Sequence, residues 1–119
     1  MKLATVLCVL LASTCIASAS RTITVFNSGG YVIKSTFEYF DLATYDIWRW
    51  QSGGVPLGKS VSITVPSTAL GISVTTNIDM IGFPEIFTDS WDSAADMDEK
   101  CTAYKVWGTI FSYPWAYTC

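Results

Sequence analysis

The sequence predicts an all-β protein, specifically a single small antiparallel β-sandwich, and three observations carry the prediction. Apolar and polar residues alternate with a period of two in several segments, whereas helical periodicity is nearly absent. Clusters of Gly, Pro and Asn separate these segments at spacings typical of all-β domains. The chain has 119 residues, which is the length of one domain.

The N-terminal half is predicted to hold three strands. Residues 22–26 alternate and lead into the turn cluster at 27–30, where glycine adopts positive φ at little cost. Residues 31–39 alternate with one apolar and one polar face, as in a sheet with a solvated side. A short edge strand around 47–50 then precedes the turn at 53–56.

The C-terminal half is predicted to hold further strands over 61–65, 72–78, 86–91 and 101–107. Pro66 ends the first of these because proline donates no backbone hydrogen bond. The predicted core takes the inward-facing residues of all strands: Ile23, Val25, Ile33, Phe37, Ile63, Val65, Ile72, Val74 and Val106.

Residues 1–19 have the pattern of a secretory signal peptide. Lys2 forms a basic start, an apolar stretch runs from Leu3 to Ile16, and Ala17-Ser18-Ala19 is a small-residue cleavage site. The alternative, a membrane anchor, requires about 20 apolar residues, which this stretch lacks. We therefore expect a secreted, extracellular protein of residues 20–119, with six basic and ten acidic side chains.

The cysteines predict one disulfide. Cys8 and Cys15 lie in the signal segment, so Cys101 and Cys119 are the cysteines of the mature chain. An oxidising compartment favours pairing of these two, which closes the C-terminal segment. The alternative is an intermolecular bridge through the terminal Cys119. We expect the internal bridge and a monomer.

Composition disfavours several functions. An acidic chain without a basic patch is a poor ligand for phosphate backbones, so we expect no nucleic-acid partner. The chain has no histidine, which removes imidazole-based catalysis and metal binding. The acidic residues at 89–99 lack the spacing of a calcium loop and are interpreted as a solvated loop. The acid pair Asp79 and Glu85 has no setting that favours glycoside hydrolysis, so we expect a non-enzymatic protein without cofactor or metal.

Apolar residues in segments that should be loops are the most informative feature. Residues 80–84 and 110–115 are rich in large apolar and aromatic side chains, although connections normally run over the surface and are polar. Exposed apolar patches mark membrane or partner contacts. This predicts peripheral binding to a membrane or a lipid-like ligand. The alternative is a structural role in which Phe83, Phe111 and Tyr113 are buried.

A second alternative is binding of a carbohydrate or a protein receptor, with aromatic side chains as stacking platforms. Trp48, Trp50, Trp91 and Trp115 are the residues for that role. Their clustering on one sheet face favours this interpretation, whereas clustering at a loop tip favours lipid.

The order of the segments resembles domain 4, the C-terminal β-sandwich of the cholesterol-dependent (thiol-activated) cytolysins. The segment 29–32 (GGYV) resembles the family's G-A-Y-V at the start of a strand. The segment 62–74 resembles its S-I-P…A-x-N-I-x-V stretch, and 107–114 resembles its W-G-T-T-L-Y-P loop. The resemblance covers about residues 23–114.

The resemblance implies a membrane-recognising module that contacts sterol-containing bilayers through tip loops, without the regions that build the pore. The family's sterol-reading Thr-Leu pair is placed near Thr109-Ile110, with Phe111 as an alternative for the leucine, and further tip positions fall on Gly30 and Ala69. The tryptophan-rich loop of the family is placed at 79–88, which here has no tryptophan. The expected membrane-binding residues are Gly30, Tyr31, Ala69, Leu70, Met80, Ile81, Phe83, Thr109, Ile110, Phe111, Tyr113 and Trp115.

Overall fold

A computed structural model describes residues 20–82, 84–99, 101–109 and 115–118, which form two four-stranded sheets. One sheet has the order β4-β1-β7-β8 and the other β3-β2-β5-β6. The strands are β1 (Ser20–Asn27), β2 (Ile33–Asp41), β3 (Asp46–Gln51), β4 (Ser60–Pro66), β5 (Ala69–Ile78), β6 (Glu85–Ser93), β7 (Ala103–Trp107) and β8 (Trp115–Thr118). The predicted all-β sandwich is therefore confirmed.

The core lies between the two sheets and is built from the alternating residues of their strands. In residues 33–39 of β2 and 72–78 of β5, every second side chain is buried, which follows the period-two pattern of the sequence. All nine predicted core residues are buried, and Ile23, Phe37 and Val74 have no exposed surface at all. Burial of apolar surface of this kind is the main favourable term in folding.

Two of the buried polar residues form a hydrogen bond inside this core. Ser35 of β2 and Thr76 of β5 have no exposed surface, and their hydroxyl oxygens are 2.9 Å apart in a hydrogen bond. The backbone N–H of Ser35 also donates to Ser52 Oγ at 2.9 Å. A buried polar group destabilises a protein unless it has such partners, and here each hydroxyl satisfies the other.

The expectation of a purely antiparallel sandwich was wrong for one strand pair. Strand β7 pairs with β1 in parallel, with Thr24 opposite Ala103 and Asn27 opposite Val106. The chain leaves β6 at the end of the sandwich where β1 begins, so β7 also starts from that end. Alternation of apolar residues gives the faces of a strand and not its direction, which is why the sequence pattern did not predict the pairing.

The acidic stretch after β6 is not a simple loop, because Ala94–Glu99 form a 3-10 helix. Ala94 and Met97 are buried and fix the helix on the core. Asp98 pairs with Arg21 of β1, with Asp98 Oδ2 2.7 Å from Arg21 Nη2 and Oδ1 3.1 Å from Nε. In the described part of the chain, no helix is long and apolar enough to cross a membrane.

Several sequence predictions lie outside the described residues. These include the signal peptide at 1–19 and Cys119. Strand β8 pairs antiparallel with β7, and Thr118, the residue before Cys119, is opposite Tyr104. The Cys101–Cys119 bridge stays a prediction, which this pairing supports because Tyr104 is three residues from Cys101.

Candidate functional site

One end of the sandwich, called here the tip, is formed by segments 28–32, 52–59, 79–82 and 108–109. Strand β2 begins at Ile33 opposite Ile78, the last residue of β5, so the loops before β2 and after β5 meet. The N–H of Asp79 donates to the carbonyl of Val32 at 2.8 Å. Strand β1 ends beside Val106 of β7, which brings the loop after β7 to the same end.

Asn27, the last residue of β1, connects segments of the tip through its side-chain amide. Its side chain is fully buried, and Nδ2 donates to the carbonyl oxygens of Tyr31 at 2.7 Å and Val55 at 2.9 Å. Its Oδ1 accepts the N–H of Gly29 at 2.8 Å. One amide therefore holds two of the tip segments together, and its hydrogen-bonding capacity is used inside the protein.

The tip position Tyr31 is a structural anchor. Its side chain is buried, and the hydroxyl donates a hydrogen bond to the carbonyl oxygen of Trp107. Burial raises the pKa of the Tyr31 phenol. A Cβ at Gly29 would lie 2.4 Å from the Tyr31 ring, so only glycine fits there. Tyr31 therefore has a structural role within the tip, because its ring is buried, and membrane contact by Tyr31 stays a prediction.

The tip brings two predicted positions together. The N–H of Gly30 donates to the carbonyl of Gly108 at 2.7 Å, and Gly30 forms an isolated parallel bridge with Thr109. A Cβ at Gly30 would lie 3.3 Å from Thr109 Cγ2. Both Gly30 and Thr109 are exposed. The sequence placed them at one surface, and the structure agrees.

The loop between β5 and β6 carries the most exposed apolar side chain of the tip. Ile81 is 96% exposed and Met80 is 42% exposed. The loop is well defined at its base, where Ile78 N donates to the Pro84 carbonyl at 2.8 Å, and Gly82 has a φ of 86°. The predicted exposure of Met80 and Ile81 is therefore confirmed, whereas Phe83 lies outside the described residues.

The prediction for Ala69 and Leu70 was wrong. Ala69 is 1% exposed and is paired with Asp41, the last residue of β2, so it lies at the end of the sandwich opposite the tip. Leu70 is next to it and pairs with Phe40. The cause is the antiparallel pairing of β5 with β2, which places the two ends of β5 at opposite ends of the sheet.

Sequence reasoning missed the tip segment between β3 and β4. Leu57 in this segment is 63% exposed, and Gly58 N donates to the Asn27 carbonyl at 2.8 Å. Val32, also on the tip, is 39% exposed. The signal was present as Pro56-Leu57-Gly58, a large apolar residue between two turn residues, which is the criterion that singled out residues 80–84.

The remaining predicted residues divide into two groups. Ile110, Phe111 and Tyr113 lie outside the described residues, and for Trp115 the structure gives the backbone pairing with Trp107 and nothing of its side chain. The interpretation of the aromatic residues as purely structural depends on Phe83, Phe111 and Tyr113 and therefore stays untested.

Three of the carboxylates considered for catalysis or metal binding have contacts within the fold. Asp79 Oδ1 lies 3.5 Å from Lys34 Nζ, and Glu85 Oε2 accepts the Thr88 hydroxyl at 2.8 Å. Asp89 Oδ2 accepts the hydroxyl of Tyr104 at 2.5 Å, and burial together with this contact raises the pKa of the Tyr104 phenol. Among the described residues, no group of three His, Cys, Asp or Glu side chains is placed to hold a metal ion.

Of the tryptophans named for a carbohydrate-binding role, Trp91 is buried in the core at 5% exposure. Trp48 and Trp50 lie on β3, which is an edge strand of its sheet. They are on the flank of the sandwich and not at the tip, and they line a groove described below.

The chain has the domain 4 fold of the cholesterol-dependent cytolysins, so the resemblance read from the sequence is confirmed for the fold. The membrane-binding domain of pneumolysin superimposes with a TM-score of 0.60 at 11% identity, covering 84% of this chain and 96% of that domain. Listeriolysin O gives a TM-score of 0.58 at 16% identity, covering 84% of this chain and 22% of the toxin. Suilysin from Streptococcus suis gives 0.58 at 19% identity, covering 82% of this chain and 22% of the toxin.

The chain therefore spans less than a quarter of the full-length toxins it matches. No family model and no curated protein sequence matches the chain.

Proposed function

We propose that this protein is a secreted, non-enzymatic module that binds membranes peripherally through its tip. The observation that carries the proposal is the exposure of Ile81, Met80 and Leu57 on loops at one end of the sandwich. Contiguous apolar surface at a loop cluster is typical of membrane contacts. The similarity of fold to a domain described as the membrane-binding domain of pneumolysin supports the same role.

Apolar burial, and not charge, is the proposed driving force. The tip segments contain two charged residues, Lys59 and Asp79, and Asp79 is paired with Lys34. Attraction to anionic lipid is therefore weak. Burial of one large aliphatic side chain contributes about 1.5–3 kcal/mol before the costs of association. A few such side chains give modest, reversible binding.

The proposal includes sterol recognition at Gly30, Thr109 and Ile110, as implied by the resemblance. Support comes from the contact of Gly30 with the Gly108-Thr109 backbone, which places this pair of segments on the exposed surface. We further propose that the module does not perforate bilayers on its own, because its eight described strands are all hydrogen-bonded within the two sheets.

Flotation of the mature protein with phosphatidylcholine vesicles, with and without cholesterol, tests the proposal. We expect Ile81→Asp and Leu57→Asp each to lower the vesicle partition coefficient about tenfold, since 1.4 kcal/mol is a factor of ten in an equilibrium constant. Leu42→Asp is the matched control, because Leu42 is 47% exposed at the opposite end of the sandwich. Failure of the wild type to float with either vesicle contradicts membrane binding.

The same vesicles separate the finer parts of the proposal. Binding that requires cholesterol and is lost in the double variant Thr109→Gly/Ile110→Gly establishes sterol recognition, whereas equal binding to both vesicles contradicts it. Release of an entrapped dye by the protein alone contradicts the non-perforating role.

A further inference from the structure

A groove on the flank of the sandwich lies between the edge strands of the two sheets. Strand β3 is an edge strand of one sheet and β4 is an edge strand of the other. The groove between them has a volume of about 270 Å³. Its lining consists of Trp48, Trp50, Ser62, Ile63 and Thr64. None of these residues belongs to the tip, so the groove is separate from the proposed membrane-binding surface.

The two indoles of the groove are held in fixed orientations. The Trp48 ring stacks on Tyr39 with centroids 5.0 Å apart, and the Trp50 ring stacks on Phe37 at 5.9 Å. Tyr39 and Phe37 are buried, so each indole rests on the core. Trp50 nevertheless remains 41% exposed. A tryptophan that is supported on one side and open on the other is a rigid aromatic platform.

The opposite wall of the groove supplies hydrogen-bonding groups. Ser62 and Thr64 are exposed, and the Ser62 hydroxyl is 2.9 Å from Thr24 Oγ1. The N–H of Asn27 donates to the Lys59 carbonyl. In the antiparallel pair of β1 and β4, every second residue from Lys59 onward along β4 forms its backbone hydrogen bonds with β1. Peptide groups of Val61 and Ile63 therefore face β1, whereas those of Ser62 and Thr64 point to the free edge.

We propose that this groove binds a saccharide, with the C–H face of one sugar ring on the Trp50 indole. The ring hydroxyls would bond to Ser62 Oγ, Thr64 Oγ1 and the peptide groups at the edge of β4. A hydroxyl both donates and accepts, and a peptide group donates through its N–H and accepts through its carbonyl oxygen. The lining contains no charged residue, which suits a neutral sugar. A combination of aromatic surface with a few convergent polar groups is typical of small-ligand sites.

An extended peptide is the other ligand that a free strand edge attracts. Peptide addition needs the edge of β4 clear over several residues, and Trp48 and Trp50 line the groove beside its middle residues. A single sugar ring needs contact with two or three residues only. The groove therefore favours a saccharide.

Affinity electrophoresis tests the proposal, with the mature protein run through gels that contain galactomannan, yeast mannan, dextran or xyloglucan. We expect at least one polysaccharide to retard the wild type, and Trp50→Ala to weaken the interaction at least tenfold. Thr64→Arg, which fills the groove from an exposed position without removing a core contact, gives the same loss even if Trp50→Ala fails to fold. Ile47→Ala, a change at a 70% exposed residue of the same strand outside the groove, retains binding.

Flotation with phosphatidylcholine vesicles that contain galactosylceramide distinguishes a lipid headgroup from a free glycan as the source of the sugar. Extra flotation that Thr64→Arg abolishes shows a glycolipid source, whereas retardation by polysaccharide without extra flotation shows a free glycan source. The proposal is wrong if no polysaccharide and no glycolipid affects the wild type, or if Thr64→Arg binds as the wild type does. Flotation with plain vesicles is expected to be the same for both proteins, so failure here leaves the tip proposal intact.

Discussion

The phenolic hydroxyl of Tyr31 donates a hydrogen bond to the backbone carbonyl of Trp107 and so joins the loop before β2 to the end of β7. The two residues lie 76 positions apart in the chain, and Tyr31 precedes a strand of the sheet to which Trp107 does not belong. The N–H of Gly30 donates to the Gly108 carbonyl beside it, so two hydrogen bonds join the same two segments.

Removal of this hydroxyl should destabilise the protein. In Tyr31→Phe the ring remains, but the hydrogen bond from its hydroxyl to the Trp107 carbonyl is lost, which costs about 0.5–1.5 kcal/mol. Chemical denaturation monitored by tryptophan fluorescence measures the loss. Tyr45→Phe is the control, because Tyr45 is 76% exposed and surface changes usually stay within about 0.5 kcal/mol. Equal stability of the two variants contradicts the prediction.

Asn27→Ala should destabilise the protein more strongly. The change removes three hydrogen bonds of a fully buried amide and leaves the Tyr31 and Val55 carbonyls without their donor. At about 1 kcal/mol for each bond, the expected loss is about 3 kcal/mol. Hydrogen exchange should be faster than in the wild type at the Gly29 amide, which loses its acceptor, Asn27 Oδ1. Gln51→Ala, which removes one exposed side-chain bond to Thr36, provides the comparison and should cost far less.

The Cys101–Cys119 disulfide should be present in the secreted protein and internal. Mass spectrometry of the unreduced protein should show a monomer lighter by two hydrogen atoms. Cys101→Ser should lower the free energy of unfolding by about 3 kcal/mol, because closure of a short loop restricts the unfolded chain. A dimer on a non-reducing gel would instead establish the intermolecular bridge through Cys119.

The ion pair of Asp98 with Arg21 should make stability depend on pH in the acid range. The hydrogen bonds from Arg21 hold the pKa of the Asp98 carboxyl below its ordinary value of 3.8. A group with a lowered pKa in the folded state stabilises the protein above its unfolded pKa, and this contribution disappears as pH falls through the folded value. Melting temperatures of the wild type and Asp98→Asn should therefore differ at pH 6 and converge below about pH 4. A difference that stays constant with pH contradicts the assignment.

The sequence predicted seven of the eight described strands, mainly from period-two alternation, and nine residues of the core, whereas β8 (Trp115–Thr118) was not predicted. Each of the nine predicted core residues is buried, because a strand with one face on the core must place every second side chain there. The same local pattern identified the exposed loop at Met80 and Ile81, since large apolar residues between turn signals have no strand to bury them. Part of the candidate tip could therefore be predicted from the sequence without the tertiary structure.

The parallel pairing of β7 with β1 and the position of Ala69 depend on which end of the sandwich each strand starts from. The starting end of each strand depends on the path of the chain between the sheets, and the alternation of apolar and polar residues does not depend on it. For the same reason, the sequence did not predict that Leu57 lies at the tip. Its position follows from the hydrogen bond between Gly58 N and the Asn27 carbonyl. The flank groove likewise exists because two edge strands from distant segments meet. The sequence determined which residues face the core, whereas the tertiary structure decided which surface residues share a site, because shared sites depend on contacts between segments far apart in the chain.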